Sequence, residues 1–522
     1  MTSTRTPLRQ PRTARLRAGA RPGGSSAARR PPRWTGPAWL DGPMTSCHLV
    51  LGSAGLLLLI GLTMVFSASA IEAALDDEPA WAPGVKQLVL ACIGLGAMVV
   101  AMRLPVGLIR RWAPVALLVV VGLLLIVLIP GIGQERNGAR QWIPLGVTDF
   151  QPSELGKLVF ALWGAHVLAL RERYLTTQSL LVPVLPVFGV LSLLLIAEPD
   201  FGGVVSLGLV LVGLLWAGGM PMRWFGAFAG VAAVLVALMV WVAPYRMERI
   251  TAFLDPFADP TNTGFQAIRG MYALATGGLW GVGLGNSKMK WKILPEAESD
   301  YIFAIIGEEL GFLGCLVVVT LYGVLAYAGF RIARRSADRF VQLASAAITV
   351  WLIGQATMNM GYVVGLLPVT GVTLPLISAG GTSLILTLFI VGLLVRFACS
   401  EPAAVEHLRT VERGRLARLL LPAPATAVDP VRPRRFDGSA EPVLPVVGAV
   451  RTLLHARGAE ARRTPARTGT PRAPRPDRAV RPDRAPRTDG APRAGAPRAG
   501  APRSGAPLRR EPEPRRRPRD DR

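Results

Sequence analysis

The sequence predicts an all-α polytopic membrane protein with about ten transmembrane helices, and three observations predict it. Apolar residues make up 51% of the 522, and the mean hydropathy of +0.39 is too high for a water-soluble chain of this length. Ten apolar runs fall at roughly 47–70, 86–103, 113–131, 152–170, 179–197, 202–219, 222–243, 302–330, 341–367 and 373–397, each near the length that crosses hydrocarbon. The formal charge of +24 lies almost wholly outside them: residues 1–46 hold nine Arg and one Asp, and residues 401–522 hold 28 Arg and 14 acids. The basic character therefore belongs to two tails, which removes the main reason to expect a nucleic-acid partner.

Three regions follow. Residues 1–46, rich in Arg, Pro, Gly and Ser, cannot bury enough apolar area to fold and predict a disordered basic cytoplasmic arm. Residues 47–398 form the ten-helix membrane domain. Residues 399–522, rich in Pro, Ala and Arg with a five-residue repeat of the Ala-Pro-Arg-Ala-Gly kind at 491–507, predict a disordered cytoplasmic tail. Such a tail lies on anionic lipid, docks an acidic partner or stays solvated. No apolar stretch precedes residue 47, so the first span is expected to serve as the insertion signal.

Arginines decide the expected orientation. Loops after even-numbered spans carry Arg110 and Arg111, Arg171 and Arg173, Arg223, and the group Arg331, Arg334, Arg335 and Arg339; the loop after the first carries Glu72, Asp76, Asp77 and Glu78. The positive-inside bias places both termini in the cytoplasm and turns the loops at 132–151, 198–201, 244–301 and 368–372 outwards. The four cysteines are far apart and define neither a zinc spacing nor a disulfide framework, and small core residues are the default. His166 lies well inside a span, where packing or bonding to a neighbour is expected before metal ligation.

The outward loop 244–301 is long enough to expect function. It ends in Glu296, Glu298 and Asp300, directly before an apolar helix. A carboxylate at the edge of hydrocarbon loses solvation, its pKa rises, and it becomes a usable general base near neutral pH. Three acids within five residues favour function over ordinary interfacial charge. Gly281, Gly283 and Gly285 give a Gly-x-Gly-x-Gly spacing, but with no strand before it and on the outward side it is poor support for a nucleotide site. The loop's cations, Arg246, Arg249, Arg269, Lys288, Lys290 and Lys292, read equally as snorkelling anchors or as diphosphate contacts. Glu154 and Lys157 stand three apart at the start of the fourth span and can pair on one helix face. Trp142 reads from its residue type as an interface-belt aromatic. Glu198 and Asp200 add two acids near the same surface, and Gln355 and Asn359, four apart, face one way and predict interhelical hydrogen bonds.

Four stretches together resemble the SEDS family (shape, elongation, division and sporulation) of peptidoglycan polymerases: NGARQWIPLG with FQPSELGKL, AEPDFG, FLDPFADP through LPEAESDYIFAIIGEELG, and NMGYVVGLLPVTGVTLPLISAGGTS. They cover about 47–398, and GNSKMKWKILPEA and NGARQWI are more similar to the cell-division member than to the elongation member. The resemblance implies polymerisation of lipid II into glycan strands at the outer face of the cytoplasmic membrane, at the septum, with release of undecaprenyl diphosphate. It implies that Asp300 is catalytic, that Glu154 and Lys157 are the family's helix pair, and that Trp142 is its loop tryptophan. Glu296 is carried as a supporting residue, and Arg249 and Lys288 as diphosphate contacts. No cofactor is firmly implied; loop cations or a bound divalent metal ion would neutralise the leaving diphosphate. The implied partners are a class B penicillin-binding protein and other division proteins. Two positions depart from the family: Glu298-Ser299 stands where His-Thr is usual, and Ala379 where an aromatic is usual. A lipid II flippase and a non-catalytic division scaffold are the competing readings.

Overall fold

The computed structural model describes residues 38–136, 139–144, 149–172, 177–242, 253–261 and 264–410. The described residues are mostly helical: α1 (Thr45–Leu75), α2 (Ala82–Arg103), α3 (Val106–Val127), α4 (Pro152–Leu170), α5 (Thr177–Ala197), α6 (Phe201–Ala217), α7 (Met222–Val242), α8 (Phe265–Gly277), α9 (Ile302–Arg335), α10 (Arg339–Val363), α11 (Gly381–Ala398) and α12 (Pro402–Thr410). All ten apolar runs fold as helices. Eight helices, α1–α5 and α9–α11, are long and apolar enough to cross a membrane, and α6 is a shorter apolar helix of 17 residues. Side chains such as Leu59, Leu118 and Leu193 stay exposed on the outer surface, the arrangement expected when lipid rather than water is the solvent.

The body is built by pairs of packed helices: α2 on α11, α6 on α10, α1 on α9, α9 on α10 and α3 on α4. Small residues permit the approach. A Cβ at Gly392 of α11 would lie 2.4 Å from the Met98 carbonyl oxygen of α2, and one at Gly213 of α6 would lie 2.8 Å from the Ala347 Cα of α10. In lipid, where apolar burial gives little drive, such contacts carry helix association.

A three-stranded antiparallel sheet, β1 (Gln134–Arg136), β2 (Ala139–Pro144) and β3 (Asp149–Phe150), caps the α3–α4 connection. Thr382 at the start of α11 donates to the Asp149 carbonyl and ties the sheet to the bundle.

Several boundaries differ from those read in the sequence. The run at 244–301 is not all loop, because Phe265–Gly277 forms α8 with Ile268 and Ala273 buried. The last span begins at Gly381 rather than 373, since Gly371 (φ 67°), Leu376 (φ 69°) and the proline at 375 break regular helix, leaving 364–380 as an irregular segment, exposed over 364–369 and buried or half-buried over 372–380. The ordered body also passes the limit set at 398: Ala404 and Leu408 of α12 bury into the core, so the tail starts later. On the amino-terminal side a 3-10 turn at Ala38–Asp41 is anchored by Asp41 to Arg335 at 3.2 Å. The remainder of both tails lies outside the described residues.

Helix α9 is broken at Gly311 (φ 69°), and the break has an identifiable filling. Residues 278–283 insert there: Val282 and Gly283 amides donate to the Glu308 and Glu309 carbonyls at 2.9 and 3.0 Å, and the Phe312 and Leu313 amides donate to Gly278 and Leu279 at 2.9 and 3.3 Å. The two helical bonds lost at the break are thus replaced on both sides, as backbone at membrane depth requires. A Cβ on Gly281 would sit 2.1 Å from the Glu309 oxygen, and one on Gly311 would sit 2.3 Å from the Gly281 nitrogen. The Gly-x-Gly spacing serves this close approach.

Candidate active site

Asp300 stands at the end of the loop that returns from α8 to α9, and its main chain is fixed from several sides. Asn359 Nδ2 and Tyr362 Oη, both on α10, donate to its carbonyl oxygen at 2.9 Å each. Ser378 Oγ donates to the Ser299 carbonyl at 2.6 Å, and the Ala379 amide donates to the Glu298 carbonyl at 2.8 Å. The carboxylate itself has no hydrogen-bond partner among the described residues, and its Oδ2 faces Gly371, where a Cβ would lie 3.6 Å away. Burial, with the nearby Glu296 charge adding to it, pushes the Asp300 carboxyl up to about 7. That is a clamped backbone presenting an open base near neutrality.

The neighbouring acids behave differently. Glu296 is exposed, has φ 55°, and accepts from Ser299 Oγ at 2.7 Å. Glu298 turns towards α1 and α2; burial, then Glu72 and Glu296, push it up to about 7, against the opposing pull of Lys86 and Ser69.

A second cluster gathers at the starts of α4 and α6. Lys157 Nζ pairs with Glu154 at 2.7 Å, the contact that their i,i+3 spacing allows, and sits 5.4 Å from the Trp351 ring centroid. Asp200 caps α6, accepting from the Gly203 amide at 2.7 Å, and Gln151 Nε2 reaches both Asp200 at 3.5 Å and Gln141 at 3.1 Å. Burial raises the Asp200 pKa, while Lys157 opposes it. Glu198 beside it is fully buried with neither oxygen partnered among the described residues, and burial, helped by Asp200, pushes it up to about 8. Trp142 lies half-buried in β2, opposite Gln134.

Residues 370–373 touch both clusters. Gly371 faces Asp300, and a Cβ on Gly202 of α6 would meet the Thr370 oxygen at 2.8 Å. One face of α10 holds this segment: Trp351 Nε1 donates to Gln355 Oε1 at 2.8 Å, Gln355 donates to the Thr373 carbonyl at 3.0 Å, and Asn359 donates to the Val372 carbonyl at 2.8 Å. Gln355 and Asn359 therefore bond to irregular backbone rather than across a helix pair, because no helix exists at 364–380 to receive them.

The loop cations separate in the structure. Lys290 is buried and pairs with Glu309 at 3.0 Å, with Ser67 of α1 donating to the same carboxylate at 2.8–2.9 Å. Lys292 pairs with Asp76. Arg269 lies over the Phe265 ring at 5.1 Å. Lys288 keeps an exposed side chain while its amide donates to Glu308 at 3.0 Å. Arg246 and Arg249 lie outside the described residues. His166 accepts from Arg110 Nε at 3.3 Å. Among the described residues no three His, Cys, Asp or Glu side chains are grouped so as to hold a metal ion.

Sequence reading missed the clamp of Asn359, Tyr362 and Ser378. The run of polar residues at 378–383 after Pro375 was its visible signal, but nothing local names Asp300 as what it holds.

These features define an α-helical polytopic membrane protein with a carboxylate-centred site where loop and helix meet. Over residues 47–402 the chain matches the family model described as cell cycle protein, which covers FtsW, RodA and SpoVE. It is 44% identical over 408 residues to the probable peptidoglycan glycosyltransferase FtsW of Mycobacterium tuberculosis (78% of this chain, 77% of that one), and 39% identical over 355 residues to stage V sporulation protein E of Bacillus subtilis (67% and 96%). Among solved structures it is similar to a chain of a peptidoglycan synthase complex, with TM-score 0.58 at 27% identity over 68% of this chain and 97% of that one. It is also similar to the rod shape determining protein RodA of Thermus thermophilus, with TM-score 0.52 at 25% identity over 70% and 99%. The chain belongs to the FtsW, RodA and SpoVE family.

Proposed function

We propose that this protein is the peptidoglycan glycosyltransferase of cell division, polymerising lipid II into glycan strands at the outer face of the cytoplasmic membrane, at the septum. The names of its relatives support the activity and the division role. The observation that carries the chemistry is Asp300: backbone clamped, carboxylate unpartnered, its pKa near 7.

Asp300 accepts the proton of the acceptor sugar hydroxyl as that oxygen attacks the anomeric carbon of the lipid-linked strand. The new C–O bond forms as the bond to the diphosphate oxygen breaks, the electron pair leaves with undecaprenyl diphosphate, and the anomeric carbon inverts. Negative charge grows on the diphosphate, and Lys288, exposed on the same loop and with no carboxylate partner among the described residues, is the cation assigned to neutralise it; Arg249 keeps the same proposed role. Lys290 and Lys292 have carboxylate partners and drop out of that set. A divalent ion carried on the substrate diphosphate would supply the same neutralisation, and no step is assigned to it. Glu154 and Lys157 support the acceptor side of the site through the cluster that shares residues 370–373, and Trp142, half-buried in β2, keeps its proposed supporting role. Its partner in strand synthesis is a class B penicillin-binding protein alongside other division proteins, a reading supported by the structural likeness to a chain of a synthase complex.

The test is polymerisation of labelled lipid II by the purified protein with its cognate transpeptidase. Asp300→Asn is expected to lower the rate roughly 10²–10⁴-fold, the usual worth of a general base. Normal polymerisation by the variant rejects the site. Absence of glycan from the native protein with its partner bound favours the flippase or scaffold.

A further inference from the structure

At the end of the bundle away from Asp300, α6 stops at Ala217 while α9 continues to Arg335, and the step between them opens a groove. The cavity there is about 540 Å³, lined by Trp216, Ala217, Phe330, Ala333 and Ala346, with Arg334, Arg339 and Gln342. That volume is within the range of small-molecule sites. Its apolar wall is anchored by Trp216 and Phe330, packed edge to face with centroids 5.6 Å apart.

Two guanidinium groups set its charge. Arg339 is held in place: Nη2 donates to the Ala217 carbonyl at 3.1 Å and Nη1 to Gln342 at 2.9 Å, with only a long contact of 3.9 Å to the exposed Glu172. Arg334 is exposed and has no partner among the described residues. The groove thus joins an apolar wall to a cationic rim at the end of three membrane helices. That is the complement of one molecule, an acyl chain joined to a phosphate. Basic grooves between helix ends suit anionic headgroups, each Lys or Arg near the surface contributing about 1 kcal/mol. A zwitterionic headgroup brings its own cation and loses that advantage.

We propose that this groove binds one anionic glycerophospholipid, its phosphate between Arg334 and Arg339 and a chain against Trp216 and Phe330. The site is separate from the Asp300 chemistry and stands whether or not the proposed reaction does.

Trp216 supplies a local readout. The full-length protein is placed in nanodiscs with brominated phosphatidylglycerol or brominated phosphatidylcholine, and quenching is measured for the native chain and for Trp216→Phe; the difference isolates Trp216 from the other tryptophans. Phosphatidylglycerol is expected to quench Trp216 at a mole fraction roughly 25-fold lower than phosphatidylcholine, the ratio that two arginines contribute, and Arg334→Gln to cut that preference to about fivefold. Both basic tails are present in every sample and cancel in the comparison of the native chain with Arg334→Gln. Equal quenching by the two lipids overturns the proposal, as does a preference unchanged in Arg334→Gln. Reversal of quenching by inorganic phosphate also overturns it, showing an anion site rather than a lipid site.

Discussion

Asp300 is held by its carbonyl and left free at its carboxylate, which separates positioning from reactivity. Its neighbour Glu296 tunes it through space: one negative charge raises the other's pKa. A general base works only when ionised, so if Asp300 has the proposed role polymerisation is expected to rise with pH through about 7, and Glu296→Gln to move that rise to lower pH. A pH–rate profile of the two proteins checks this, and coincident profiles exclude the coupling. Stability runs the other way. A carboxyl whose folded pKa lies above its unfolded value stabilises less as pH climbs between the two, and the full cost is present above about 7. Asp300→Asn, which cannot ionise, should therefore melt above the native protein at pH 8 and approach it near pH 4, as thermal unfolding in detergent would show.

At the scale of elements, the site exists because two helices are interrupted. The break in α9 receives residues 278–283, and the gap between α10 and α11 supplies residues 370–373. Gly311→Ala would place a Cβ 2.3 Å from a backbone nitrogen at a φ of 69°. The expected cost is about 3 kcal/mol, seen as a lower melting temperature with loss of polymerisation. The Glu154–Lys157 pair is a different kind of tie. Lys157→Met leaves a partly buried carboxylate without its cation and should cost about 3 kcal/mol, whereas Lys157→Met with Glu154→Leu should recover most of it. Recovery of stability without recovery of polymerisation would assign the pair to the acceptor site; recovery of both would leave it structural.

Over the described body, the segments that enter α1 and leave α11 meet at one corner with the end of α9. Asp41 pairs with Arg335, Arg331 Nη2 donates to the Gly42 carbonyl at 3.3 Å, and the Cys47 and Cys399 sulfurs stand 3.1 Å apart. Helix α12 continues that corner, with Leu408 buried. A chain ending at residue 410 should match the full-length protein in melting temperature and in the rate of polymerisation in vitro. One ending at 398 should lose about 2 kcal/mol for Leu408 alone.

Long apolar runs were legible without any structure, because a span in lipid must satisfy its backbone internally and so advertises itself by composition. The same reasoning exposed the acids at the mouth of α9 and the i,i+3 pair of α4, since both are local patterns. Local pattern could not disclose contacts whose partners are distant in the chain: Asn359 and Tyr362 on the Asp300 carbonyl, Lys290 with Glu309 under Ser67, or Cys47 against Cys399. It argued against a nucleotide at the glycine run but could not show that the run lets a loop enter a helix. Which acid keeps an unpartnered carboxylate, which of the described loop cations are paired and where the last helix begins were decided by packing. Each depends on what surrounds the group once the chain has closed on itself.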